Sequence, residues 1–268
     1  VTVDMGIYDR DYIREPSPGG PNRSGFYGSA NPWSVNTWLI VINVAVFLLN
    51  AIITVPGGMR NVLVGTDPFG NDVYQQVAVP PSHPIDMYGY FSVVTAVAHA
   101  QVWRFLTFQF LHASFNHIFA NMLGLFFFGP LIETYLGRRK YLAFYLLCGV
   151  AGPFAYMLLW AMHLLHDGPA TPLVGASAGI FGVLIAAAMV APNAEVLVFG
   201  IIPMKMRTFA WGLLGLAVYA ILFSGDNAGG QAAHLGGAAV GFLLIREPQL
   251  LRWADWGGRR VTRMRYRP

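Results

Sequence analysis

Six stretches of the 268-residue chain are almost wholly apolar, near 37–55, 116–133, 141–165, 173–191, 208–224 and 229–245, and polar residues gather between them. Each approaches the ~20 residues that a helix needs to cross a hydrocarbon core of about 30 Å. A soluble core demands no such lengths. The pattern predicts an all-α membrane protein, a bundle of six transmembrane helices over 36–245, with a polar cytosolic leader at 1–35 and a basic cytosolic tail at 246–268. The external connection 56–104 is long and carries Pro56, Pro68, Pro80, Pro81 and Pro84 before the mixed run 88–111. Connections of that length are commonly functional. Trp103 and Arg104 at its end pair an aromatic with a cation, the composition of a segment resting at the lipid–water boundary.

Composition agrees with these apolar runs. Hydrophobic residues make up 55% of the chain and charged ones 11%, against about 25% charged in an ordinary soluble domain. The formal charge of +4 is spread over short connections and the tail, so it speaks for topology and gives no footprint for nucleic acid. Fifteen of the 17 Lys and Arg fall in four segments: the leader (Arg10, Arg14, Arg23), Arg138-Arg139-Lys140, Lys205 with Arg207, and the stretch after Ile245. With six spans and a cytosolic N-terminus all four segments are cytosolic, as basic connections tend to be; only Arg60 and Arg104 fall outside. The leader lacks the short apolar stretch and cleavage site of a signal peptide, and Met5 is a candidate natural start. A bacterial inner membrane fits this simple form, with anionic lipid as a weaker expected contact of the tail. The single cysteine, Cys148, lies in an apolar run, so it reads as packing and leaves no disulfide or cysteine zinc site.

Polar groups inside apolar runs cost free energy and need a reason. The second run holds His117 and Asn121, one turn apart on one face. The fourth opens Val174-Gly175-Ala176-Ser177-Ala178-Gly179-Ile180-Phe181-Gly182, a serine among small residues near the external end. The sixth holds His234 with Gly237 and Gly241 at offsets of three and seven. Taken singly, Gly175, Gly179, Gly237 and Gly241 read as close-packing positions, and Ser177, His117 and Asn121 as interhelical hydrogen-bonding groups. His234 is a poor packing choice without a polar partner, and the conjunction of the three runs points to chemistry. Gly175-Ala176-Ser177-Ala178-Gly179 also matches the G-x-S-x-G elbow of soluble hydrolases, but no alternating strand leads into this serine and no acid–histidine pair follows in a soluble domain.

These motifs resemble the rhomboid family. The run from Trp103-Arg104 through His112 to His117 and Asn121 resembles its first loop and second helix, including the H-x-x-x-N spacing. Gly129-Pro130-Leu131-Ile132-Glu133 resembles that helix's end, Gly175-Ala176-Ser177 with Phe181 its fourth helix, and Ala233-His234-Leu235-Gly236-Gly237 with Gly241 its sixth. The resemblance covers about residues 100–245, in the family order. The family's G-x-S-G departs here to Ala178 after the serine, with only a modest local effect expected. The resemblance implies an intramembrane serine protease with a Ser177–His234 dyad, Phe181 holding the imidazole by stacking, and an oxyanion hole from His117, Asn121 and the backbone N–H groups of Ser177 and Ala178. No Asp or Glu lies in the fourth or sixth run, so a third member is not expected. The implied substrate is a transmembrane segment of another protein, reaching the site laterally between the second and fifth helices, with 209–223 as the mobile gate. No cofactor or metal is implied: there is no H-E-x-x-H pair, no intramembrane aspartate, and His112, His117, His163 and His166 lack a ligand spacing. The alternative from another class is a non-catalytic rhomboid-like client-binding or scaffold protein, since fold alone does not establish function.

Overall fold

The computed structural model describes residues 34–66, 69–79, 81–165, 167–198, 200–224 and 227–255. The expectations for the leader before Ser34 and for the tail beyond Asp255 lie outside the described residues.

Each of the six predicted runs holds a helix: α1 Val35–Ile52, α2 Phe115–Leu136, α3 Arg138–Ala161, α4 Ser177–Val190, α5 Met206–Tyr219 and α6 Ala228–Arg246. All but α4 are long and apolar enough to cross a membrane, with α5 carried on to Phe223 by a π-helical turn over Ala220–Ser224. The fourth run differs from expectation. Its helix starts at Ser177 instead of near 173 and has 14 residues, about 21 Å at 1.5 Å per residue. The shortening is tolerable because α4 is enclosed: ten of its residues, including Ala178, Gly179, Ile180, Gly182 and Val183, are buried. The irregular backbone immediately before it, residues 173–176, is buried or half-buried, the condition under which such backbone can exist at membrane depth.

Small residues let the backbones close around α4. A Cβ on Gly182 would lie 2.6 Å from Cβ of Cys148 on α3, and one on Gly241 of α6 would lie 2.5 Å from Cα of Gly182. Gly179 accepts the ring of Tyr145, whose Cε2 would sit 2.7 Å from an added Cβ. Gly237 lies directly on the carbonyl of Ala178. The close-packing reading of these glycines therefore holds together with their place beside the polar residues. Cys148 is fully buried in this core and forms no disulfide.

Glu133, at the end of α2, caps α1: its two carboxylate oxygens accept from the amides of Val35 at 2.8 Å and Asn36 at 3.0 Å. Those amides belong to the first helical turn, which has no intrahelical acceptor, and the negative charge suits that end of the helix. Ser34 accepts from the amide of Thr37 at 3.0 Å and completes the cap. Asn36 extends the joint inward, donating to the carbonyl of Leu125 and accepting from the hydroxyl of Tyr141.

Among the described residues, two antiparallel hairpins interrupt the all-helical pattern. β1 Gly58–Thr66 pairs with β2 Asp72–Val79 in the long connection, and β3 Glu195–Val198 pairs with β4 Ile202–Lys205 between α4 and α5. The first was illegible in the sequence because β1 is exposed along its whole length and so shows no alternation of buried and solvated positions. Past α6, the 3-10 segment Pro248–Asp255 buries Leu251, and Asp255 pairs with Lys140 at 2.6 Å. The beginning of the expected tail is thus part of the folded body.

Candidate active site

The chain reaches Ser177 along an extended segment laid on the connection before α2. Phe91 and Leu173 exchange backbone hydrogen bonds at 3.0 and 2.7 Å, Val94 donates to the carbonyl of Pro169 at 3.1 Å, and Gly175 donates to that of Phe108 at 2.9 Å. Phe91 is fully buried among the rings of Phe105, Phe108 and Tyr156. Arg104 fixes the same connection. It is buried, donates to Gln101, to the carbonyl of Tyr90 at 2.6 Å and to that of Met87 at 2.8 Å, and its guanidinium lies 4.8 Å from the Tyr90 ring centre. The charge of Arg104 is thus met by loop carbonyls. Trp103 is half-exposed and donates to the carbonyl of Tyr88 at 3.1 Å. Between this loop and α1 lies an apolar cavity of about 520 Å³, lined in part by Ile42, Val46, Tyr88 and Trp103.

At Gly175 φ is +129°, a conformation side chains disfavour. A Cβ there would also lie 2.8 Å from Cε1 and Nε2 of His117. Glycine is required on both counts, and it sets His117 against the segment that delivers Ser177. Ser177 is the first residue of α4, so its amide and that of Ala178 belong to the turn without intrahelical acceptors.

Ser177 and His234 come together. Oγ of Ser177 is 2.8 Å from Nε2 of His234, and Nδ1 of His234 is 3.0 Å from Oε1 of Gln231. Phe181, one turn beyond Ser177, stacks on the imidazole with ring centres 4.2 Å apart and planes 8° from parallel. Ala178, the departure from the family's glycine, lies inside α4 and not at a positive φ. Its methyl is received by Gly152 of α3, where an added Cβ would be 2.9 Å away.

Asn121 is buried one turn after His117, and its side-chain nitrogen has no hydrogen-bond partner among the described residues. His112 is buried beside His117, with ring centres 5.1 Å apart, and neither of its ring nitrogens has a partner there. Burial, and then the neighbouring His117, push its pKa down to about 3, which keeps it neutral at ordinary pH. Glu133 is a cap for α1, and Trp103 and Arg104 shape the loop. The sequence reading does not single out Gln231. Its offset of three before His234 on one helix is the signal that finds it.

The fold and this site define an integral membrane protein with a serine–imidazole pair enclosed by its helices. The Rhomboid domain model matches residues 99–246, more than half of the chain, and the chain belongs to the rhomboid family, which includes serine intramembrane proteases. It is 32% identical over 149 residues to "Putative rhomboid protease YdcA" of Bacillus subtilis, covering 55% of this chain and 68% of that one. It is 32% identical over 141 residues to "Rhomboid protein 1, mitochondrial" of Saccharomyces cerevisiae, covering 50% of this chain and 38% of that one. A third relative, "Presenilin-associated rhomboid-like protein A, mitochondrial" of Danio rerio, is 34% identical over 150 residues, 54% of this chain and 37% of its own. The chain spans less than half the length of these two mitochondrial relatives.

Proposed function

We propose that the protein is an intramembrane serine endopeptidase that hydrolyses peptide bonds in or near transmembrane segments of other membrane proteins. The observation that carries this reading is the 2.8 Å contact between Oγ of Ser177 and Nε2 of His234. At that distance the imidazole takes the hydroxyl proton as Ser177 attacks the scissile carbonyl, and returns it to the leaving amine. Water then enters from the external face and releases the acyl group, with the same imidazole as base.

The tetrahedral intermediate carries an oxyanion, and each preorganised donor to it contributes about 2.7–4 kcal/mol. His117 and Asn121 supply side-chain donors, joined by the backbone N–H groups of Ser177 and Ala178. The partnerless amide of Asn121 supports this assignment, because a buried donor without an acceptor is costly unless a ligand or intermediate uses it. Lateral access between α2 and α5 is supported by the thin packing of α5, which buries only Met206, Ala210 and Ala217. The charge asymmetry of the connections supports cytosolic termini, and the simple six-helix form a bacterial inner membrane.

The test is labelling with a fluorophosphonate together with cleavage of a transmembrane test substrate, in liposomes. Ser177 becomes labelled, and Ser177→Ala and His234→Ala each lower cleavage by a factor on the order of 10⁴ or more while the protein stays folded. Absence of both labelling and cleavage in the wild type overturns the reading in favour of a client-binding protein.

A further inference from the structure

We propose that Gln231 is a positioning residue that fixes the tautomer and orientation of His234, so that the Ser177–His234 pair is held by a third side chain. The proposal rests on the protease reading for its catalytic consequence. Its structural content stands on geometry alone.

For Nε2 of His234 to accept the proton of Ser177 at 2.8 Å, that nitrogen must be unprotonated, and neutral imidazole then carries its proton on Nδ1. Nδ1 is 3.0 Å from Oε1 of Gln231, so the amide oxygen accepts this N–H and stabilises the one tautomer that leaves Nε2 basic. Without that acceptor the two tautomers compete, and a ring with its proton on Nε2 cannot serve as base. An amide oxygen is enough for this task, as the third group of a triad acts by holding the ring and need not take up a proton.

The position is rigid. Gln231 and His234 are three apart on α6 and share a face. The start of that helix is tied down by Asp167, whose carboxylate accepts from the amide of Gly229 at 2.6 Å. Ring rotation is blocked on one side by Phe181. A neutral residue is suited to this enclosed place, because a carboxylate would need desolvation. Among the described residues, the titratable groups near the imidazole are His117 on α2, with His112 beyond it, and Asp167 lies at the start of α6.

The experiment uses the full chain in liposomes and two independent readouts. The first is ¹⁵N NMR of the His234 ring, assigned by comparison with His234→Asn. The wild type shows the Nδ1–H tautomer, and Gln231→Leu, of similar size but without an acceptor, shows a mixture. The second is the pH profile of the fluorophosphonate labelling rate. Gln231→Leu slows labelling by at least ~10-fold, with an unchanged thermal midpoint, whereas Gln231→Glu keeps an acceptor, restores the rate and moves the acid limb of the profile upward by roughly one unit. If Gln231→Leu unfolds the protein, Gln231→Asn, which keeps the amide but withdraws it by one methylene, serves in its place. A wild-type tautomer ratio retained in the folded variant overturns the proposal. A wild type that is never labelled overturns the protease reading instead and leaves the tautomer measurement to decide on Gln231.

Discussion

Phe181 and His234 lie face to face, 4.2 Å between ring centres and 8° from parallel. Since Phe181 follows Ser177 by one turn of α4, the helix that presents the hydroxyl also holds the imidazole to which it is hydrogen-bonded. An aromatic pair of this kind contributes about 0.5–1.5 kcal/mol beyond area burial. Phe181→Leu is therefore expected to lower kcat by roughly 2- to 10-fold, with Phe181→Tyr close to wild type. Steady-state cleavage by the purified variants checks this, and equal loss in both sinks the stacking argument.

Asn121 separates catalysis from stability. Its amide nitrogen is buried without a partner, so removing it costs the folded state no hydrogen bond through that atom. Asn121→Ala should lower kcat by about 10²- to 10³-fold with little change in KM and no fall in thermal midpoint. A variant with normal kcat removes Asn121 from the oxyanion hole.

Glu133 gives the opposite outcome. Glu133→Ala leaves the amides of Val35 and Asn36 without their acceptor, and loss of a helix cap costs about 0.5–2 kcal/mol. Unfolding of the variant in detergent should show this loss, while Ser177 in the surviving folded fraction reacts at the wild-type rate.

Gly237→Ala tests the seam between α4 and α6. The new methyl would press on the carbonyl of Ala178, and overpacking of this kind costs about 1–3 kcal/mol. Because the shift separates the helices bearing Ser177 and His234, labelling of Ser177 should fall further than the folded fraction does. Parallel measurement of the two quantities decides.

His112 predicts a pH dependence of stability. Its pKa in the folded protein, about 3, lies below the usual value of 6.5. Between those values the unfolded chain binds a proton that the folded chain refuses, so its contribution is complete above pH 6.5 and declines as pH falls toward 3. His112→Leu should lose less stability than the wild type on acidification from pH 7 to pH 4. Equal losses in an unfolding titration would rule out this role.

The number and order of the helices could be read from the sequence because each long apolar run must be paid for by lipid or core. The motif residues could be picked out because polar groups in such runs need partners. Hydropathy measures lengths of apolar sequence, however, and not enclosure, so it overstated α4, which is surrounded by other helices and can be short. It was equally blind to β1, whose exposed side chains leave no pattern. The role of Arg104 depended on Met87 and Tyr90, 17 and 14 residues earlier, contacts no local pattern encodes. Gln231 stood in plain view one turn before His234, yet an amide becomes distinguishable from ordinary helix polarity only when its oxygen faces a ring nitrogen. Hydropathy alone was enough to assign Ser177 to the fourth helix and His234 to the sixth. That they meet at 2.8 Å was decided by tertiary structure, where glycines at 182, 237 and 241 allow backbones to approach more closely than any side chain would permit.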